Sequence, residues 1–357
     1  MDNYNVFILG PSGSGKTIFL ASLFKVFSIQ QAKYGFFLEV EDNKNRQALN
    51  KIYETLITEK EWPPGTRNIS TWTFNCCLKE RNLSTNKICK LTYRDYSGGI
   101  VTDIDSNDIN LKSEIKQADA VLALIDGQKM LSLMQHKDMI LENNLETWLH
   151  TDLPTIMQLV DYYCKRDTPV HFIITKWDLL EKNYSLSQIK KELSAKVTEF
   201  RNLVVNRKNA GCTVTLIPVS SIGKNFANIQ NDGKMEKIPG AIPQPEWVEV
   251  PLAFVLTHKL KSQTNNQSSK SPENFHKNAQ DKFKLSNLSI VIDFFVSISI
   301  ITLLSYLQLG GLVIPTIVIY AIIRFLMKRI NNPKKKVLKS CRSIQKKFFA
   351  RFRDANL

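Results

Sequence analysis

The sequence predicts an α/β fold: a mostly parallel sheet covered by helices on both faces, followed by a helical membrane hairpin and a basic tail. Three observations carry this expectation. A glycine-rich run, Gly10 to Thr17, lies between a short apolar stretch and a helix-like segment. Over about 225 residues, further short apolar runs alternate with amphipathic segments, the pattern of strands joined by crossover helices. Then the 36 residues from Leu288 to Ile323 contain a single charge, Asp293.

The first apolar stretch, Val6 to Leu9, reads as a strand. It runs into Gly10-Pro11-Ser12-Gly13-Ser14-Gly15-Lys16-Thr17, and a helix is expected from Ile18 to about Ser28. Strand, glycine-rich turn and helix are the context of a phosphate-binding loop. The glycines let the backbone wrap tightly enough to aim several N–H groups at a β-phosphate. Lys16 then reaches the β- and γ-phosphates, and the Thr17 hydroxyl holds Mg²⁺.

Gly35 to Val40 reads as a strand and Asn43 to Thr58 as an amphipathic helix. Trp62-Pro63-Pro64-Gly65-Thr66 makes a rigid turn, because two prolines bar both helix and central strand. Ser70 to Cys77 and Lys87 to Tyr93 alternate as two strands of a hairpin, with Glu80 to Asn86 as its polar turn. Ala120 to Ile125 is an apolar run of the buried parallel kind. Leu131 to His150 is expected to be helical, and Pro154 to Cys164 is a second helix opened by its proline. Val170 to Ile174 and Thr213 to Val219 complete the core strands, with a helix from Ser187 to Asn206 between them. Ligands of such sheets bind beyond the carboxyl ends of the strands.

Three stretches fall at those ends. Asp95-Tyr96-Ser97-Gly98 follows the second hairpin strand; there Asp95 can approach Mg²⁺ through water while the Gly98 N–H meets a γ-phosphate. Thr175-Lys176-Trp177-Asp178 follows the strand at Ile174. A carboxylate at Asp178 can accept from guanine N1–H and the exocyclic amine, a donor pair that adenine lacks, so the wrong base leaves it unpaired. The aliphatic stem of Lys176 lies over the base face in this reading. Ser220-Ser221 ends the last strand, where a backbone N–H can meet guanine O6.

In order and spacing these motifs resemble the translation-factor-related class of P-loop GTPases, which holds Ras-like and Era-like domains. The resemblance covers roughly residues 3 to 225. It implies that Gly10, Ser12, Gly13, Ser14, Gly15, Lys16 and Thr17 bind the phosphates of GTP or GDP. Asp95 to Gly98 then stands for the DxxG switch, and Thr175, Lys176 and Asp178 stand for the NKxD base motif. Ser220 and Ser221 stand for the SA-type loop. The Trp62 to Thr66 turn looks like the first switch of the bacterial double-GTPase group, which would make Thr66 a Mg²⁺ ligand beside Thr17 and Asp95; Thr71 and Thr73 compete for that role. On this reading Lys16, Thr66 and Gly98 serve the reaction itself. Two departures matter. Thr175 replaces an asparagine that braces the phosphate loop, and Gly99 stands where Ras-like enzymes place a water-orienting glutamine. Slow hydrolysis follows, unless Asp103, Asp105 or a partner supplies the missing group. No second complete P-loop follows in the chain, so a paired arrangement requires a dimer or a separate protein.

Of the net charge of +15, the stretch from Arg324 onward carries +11 and the rest only +4, so basicity is a local device. The six cysteines and five histidines are scattered without metal or disulfide spacing, which fits a reducing compartment. No secretory leader is expected ahead of a loop strand that starts almost at Met1. The expected domains are a nucleotide domain at 1–257, a flexible linker at 258–287, the hairpin at 288–327 and the tail at 328–357. The apolar run breaks at Gln308 to Gly311 and again at Pro315, which suggests two short spans; a re-entrant hairpin is the alternative. Flanking lysines and arginines put both ends in the cytoplasm. In the tail, Val337, Leu338, Ile344, Phe348, Phe349 and Phe352 alternate with Lys and Arg, an amphipathic surface suited to anionic headgroups; nucleic acid is the less favoured partner. The resulting expectation is a multi-pass, membrane-anchored GTP switch. It hydrolyses GTP slowly to GDP and phosphate and is accelerated by a protein partner or by self-association. A non-hydrolysing receptor or scaffold and a GTP-triggered membrane effector are the alternatives.

Overall fold

The computed structural model describes residues 3–29, 33–59, 61–63, 70–79, 85–95, 109–135, 143–230, 234–268 and 333–357. Its centre is a seven-stranded sheet in the order β2-β3-β4-β1-β5-β6-β7. These strands are β1 (Asn3–Leu9), β2 (Phe37–Glu39), β3 (Ser70–Lys79), β4 (Thr85–Asp95), β5 (Ala120–Ile125), β6 (Val170–Ile174) and β7 (Val214–Pro218). β1 is parallel to both β4 and β5, and β6 and β7 continue the parallel run. β3 is antiparallel to β4 and β2. Every residue of β5, β6 and β7 is buried, which is why they read as unbroken apolar runs. The strand order reverses beside β1, so the loop leaving β1 opens at the switch point of the sheet.

The helices follow from local chemistry. α1 (Lys16–Phe27) starts directly out of the glycine loop, and α2 (Asn43–Thr58) is capped by Asp42, whose carboxylate accepts from the N–H groups of Lys44 and Asn45. α3 (Ile109–Gln117) precedes β5. Of the helix expected over 131–150, the described residues form α4 (Gly127–Gln135) and α5 (Asn143–Thr147), and 136–142 lie outside the described residues. A wide turn at Trp148–Asp152 then leads into α6 (Leu153–Tyr163). Asp126 moves the start of α4 forward, its carboxylate and carbonyl accepting from Gln128 and Met130. The helix expected over 187–206 divides into α7 (Leu186–Lys196) and α8 (Thr198–Asn209). Between them Val197 turns to extended geometry and buries its side chain. A small hairpin, β8 (Ala227–Ile229) with β9 (Met235–Lys237), had no signal in the sequence.

Two expectations for the C-terminal third change. α9 (Glu249–Ser268) continues through Ser268, so the first part of the stretch expected to be linker is helical. Leu252, Ala253 and Leu256 anchor this helix in the core. The remaining linker, 269–287, and the hairpin, 288–327, lie outside the described residues; among those described, no helix is long and apolar enough to cross a membrane.

The second change concerns the tail. Residues 337–357 form one compact unit with residues 1–259, while 260–336 group separately. α10 (Pro333–Arg351) buries Val337, Leu338, Cys341, Ile344 and Phe348 in that unit. Phe348 is fully buried, its ring 6.1 Å from Trp247 and 6.0 Å from Phe254. Beyond the helix, Asn356 bridges Thr215 of β7, and the Leu357 N–H donates to the Val214 carbonyl at 3.2 Å. The chain end thereby covers part of a sheet edge that would otherwise be unpaired. The amphipathic face expected to lie on lipid is therefore spent on protein, because Trp247 and Phe254 supply an apolar wall. The lysines and arginines at 335, 336, 339, 342, 346, 347, 351 and 353 remain exposed.

Candidate functional site

The loop from β1 to α1 takes its shape from left-handed backbone at Gly13 (φ 78°) and Gly15 (φ 84°), a region that side chains resist. Gly15 is the N-cap of α1 and accepts the first helical bond, from Phe19 N–H at 2.9 Å. Lys16 is 6% exposed, and its ammonium lies across the loop, donating to Gly10 O at 2.7 Å and Pro11 O at 3.0 Å. Ser12 and Gly13 face solvent, while Ser14 is fully buried with its hydroxyl unpartnered among the described residues. Thr17 sits half-buried in the first turn. Backbone N–H groups at a helix start, a lysine and an unpartnered buried hydroxyl make a cradle fitted to phosphate oxygens.

Thr175 forms the floor. Its side chain is buried, and its hydroxyl donates to Ile125 O at 3.2 Å, so it is tied to β5 while its Cβ lies 4.0 Å from where a side chain on Gly15 would begin. Lys176 has left-handed backbone (φ 50°), and its ammonium pairs with Asp126 at 2.9 Å. Asp126, buried and also capping α4, escaped the reading of the sequence. The available signal was an Asp-Gly step directly after an apolar strand. Gly127 is required by close approach: a Cβ there would stand 2.0 Å from the Thr175 carbonyl oxygen. Asp126 and Gly127 together hold the end of β5 against the end of β6 and fix the course of the Lys176 stem.

Asp178 and Ser220 meet across the ends of β6 and β7, the Ser220 hydroxyl donating to the Asp178 carboxylate. The Gly223 N–H donates to the same hydroxyl at 3.0 Å, which fixes its orientation. Burial pushes the Asp178 carboxyl above its ordinary value; the Ser220 bond opposes this, and the nearby Glu181 and Glu246 add to it. Ser220 also exchanges both backbone bonds with Glu246, at 3.0 and 2.8 Å, and Ser221 O accepts from Ser22 of α1 at 2.7 Å. The phosphate-loop helix and the last loop of the site are thus directly bonded.

Asp95 ends β4 in register with Ile8, one residue before β1 ends. Thr66, Gly98, Gly99, Asp103 and Asp105 lie outside the described residues. Thr71 and Thr73 are both laddered to β4, and Thr71 accepts a bond from Arg94 at 2.8 Å, which places these two alternatives to Thr66 inside the sheet. The chain entering that segment is fixed at Trp62, whose indole donates to Met235 O of β9 at 2.7 Å. Lys237 donates to three carbonyls around the end of α2: Thr55 in its last turn at 3.0 Å, and Glu59 and Glu61 beyond it at 2.9 Å and 2.7 Å.

Comparison with family models matches residues 7–248 to DO-GTPase1, Double-GTPase 1. Comparison with curated proteins finds no match. Among solved structures, one similar chain is translation elongation factor SelB from Methanococcus maripaludis, solved in complex with the GTP analogue GppNHp. It is 15% identical, with a TM-score of 0.29, over 62% of this chain and 31% of that one. This chain thus spans under a third of that protein's length, a likeness too distant to carry an argument.

Proposed function

This chain belongs to the Double-GTPase 1 family of P-loop GTPases, and from that premise we propose that it is a membrane-anchored guanine-nucleotide switch with slow intrinsic hydrolysis. The observation that carries the reading is the Asp178–Ser220 pair, set at the ends of β6 and β7 on the same rim as the Lys16 loop. A carboxylate oriented by a hydroxyl, over a floor made by Thr175 and Lys176, suits the two donors of guanine.

In this mechanism Lys16 exchanges its loop carbonyls for β- and γ-phosphate oxygens, and the N–H groups from Gly13 to Thr17 hold the β-phosphate. The Thr17 hydroxyl and the Asp95 carboxylate offer the oxygen donors that Mg²⁺ prefers, with Thr66 joining them in the GTP state. Mg²⁺ held by these oxygens would supply charge neutralisation to the phosphates. Thr66 and the Gly98 N–H close on the γ-phosphate and release when phosphate leaves. Gly99 brings no side chain to orient the attacking water, so turnover depends on a group from a partner or a second copy. The apolar run at 288–327 inserts as a two-span hairpin with the nucleotide domain on the cytoplasmic side, and the exposed cations of α10 face anionic headgroups.

The test is a calorimetric titration of the full chain in detergent with GTP, GDP and ATP plus Mg²⁺, followed by phosphate release from the same sample. Guanine-selective binding with slow release supports the switch. Binding without any release, even with liposomes or at dimer-forming concentrations, supports a GTP-dependent scaffold instead. Equal binding of ATP overturns the role of Asp178.

A further inference from the structure

We propose that the C-terminal segment 333–357 is a positioning element of the guanine end of the site, acting through Phe352. The inference rests on the reading of Asp178 as the guanine acceptor and goes beyond it, because none of the nucleotide motifs includes residues past Ser221.

Two tryptophans back the base loops, and Phe352 touches both. Trp177 lies between Lys176 and Asp178, is 3% exposed, and meets the Phe352 ring edge-on at 6.0 Å and 82°. Trp247 follows Glu246, the residue that exchanges both backbone bonds with Ser220. Its backbone is left-handed (φ 63°), and its ring meets Phe352 at 5.5 Å and Phe348 at 6.1 Å. The Phe352 N–H donates to Phe348 O at 2.8 Å, so the ring is fixed to the end of α10. Asp178, one partner of the proposed base contact, is therefore next in sequence to Trp177. Ser220, the other, is backbone-bonded to the residue next to Trp247, and the same phenyl ring meets both tryptophans. Lys176, Asn225 and Trp247 are the three described non-glycine residues with left-handed backbone, and all three lie in or beside these loops. Such backbone persists only where surrounding packing enforces it.

A ring that braces only the base loops has a distinct signature, because the phosphate loop is built on β1 and α1. Removing it weakens a ligand that carries guanine and spares one that is phosphate alone. The experiment uses the full chain in detergent micelles with Mg²⁺ and compares wild type, Phe352→Ala and Phe352→Tyr for binding of GTP, ATP and inorganic tripolyphosphate. Loss of the edge-on contacts of this half-buried ring with Trp177 and Trp247 predicts that Phe352→Ala weakens GTP about five- to tenfold. Tripolyphosphate binding stays unchanged and Phe352→Tyr restores GTP affinity. If Phe352→Ala does not fold, Phe352→Leu keeps the apolar volume without the ring and is read in the same way. Unchanged GTP affinity, or equal weakening of GTP and tripolyphosphate, overturns the proposal. If wild type does not distinguish GTP from ATP, the guanine assignment itself fails and this proposal falls with it. If wild type does distinguish them and the Phe352 variants leave GTP binding intact, only the positioning role fails.

Discussion

Asp178 is a carboxylate that its surroundings discourage from ionising, and the base recognition proposed for it needs it ionised. Burial raises its pKa in the folded chain, so the folded state holds the proton more tightly than the unfolded state does. The group therefore costs stability as pH rises through that raised value, and guanine affinity is lost as pH falls through it. Titrating GTP affinity downward from pH 7 should show the loss beginning above the ordinary aspartate range near ~3.9. Asp178→Asn should remove this pH dependence, weaken GTP about tenfold to a hundredfold and favour xanthosine triphosphate. Because it deletes a buried charge, it should leave the melting temperature of the nucleotide-free protein the same or higher. A matched fall in melting temperature would mean that the residue is structural. His171 in β6 gives the opposite sign. It is buried with Nδ1 2.6 Å from Thr215 Oγ1, and burial pushes its pKa down to about 3, with His258 adding to the effect. Below pH ~6.5 the unfolded chain takes up a proton that the folded chain refuses, so stability falls with acidification until about pH 3. His171→Gln should flatten the dependence of melting temperature on pH across that interval.

At the scale of elements, the small β8–β9 hairpin holds the chain at Trp62, just ahead of the segment proposed as the first switch. Lys237 gathers the carbonyls at the end of α2 while its ammonium stands 5.2 Å from the centre of the Trp62 ring. Lys237→Met keeps most of the stem and loses the donors. It should cost roughly 1–2 kcal/mol of stability and speed hydrogen exchange at residues 59–63 more than elsewhere. An unchanged exchange rate there would show that the clamp does not control the segment. This hairpin was invisible in the sequence because its strands are three residues each and neither is a sustained alternation. β5 and β6, buried on both faces, were legible to the residue. The glycine-rich loop between β1 and α1, and the place of Asp178 just past β6, were legible because such motifs fix residue types at fixed spacing. Asp126 was not, since an Asp-Gly step after a strand reads first as a turn. The period of α10 was legible and its partner was not: a stripe of Val, Leu, Ile and Phe between cations suits lipid and a protein wall equally. Only the fold brings Trp247 and Phe254 to it.

At the scale of the whole molecule, the segment expected to enter the membrane is joined to the nucleotide domain at both ends. The chain leaves along α9 and returns through residues 337–357, which belong to the same compact unit as residues 1–259. A flexible linker at one end would transmit little force; the return instead leads into α10, and Phe352 just past its end meets Trp177. Binding linkage then runs both ways, and any gain in GTP affinity from docked α10 is matched by tighter docking when GTP is bound. Two chains separate the fold from the anchor. Truncation after Ser268 removes α10 and uncovers Trp177, Trp247, Phe254 and the edge of β7. Loss of the buried Phe348 ring alone would cost ~3–5 kcal/mol, a large share of a typical domain stability of ~5–15 kcal/mol. The truncated chain should aggregate or lose its cooperative melting transition. Replacing residues 269–332 with a Gly/Ser linker of about 30 residues, whose ends average ~30 Å apart, keeps α10 available. That chain should melt cooperatively, leave the membrane fraction and bind GTP within about threefold of full length. A truncated chain as stable as the intact one would show that α10 is dispensable to the domain. A linker chain still resistant to alkaline extraction from membranes would show that the anchor lies outside 269–332.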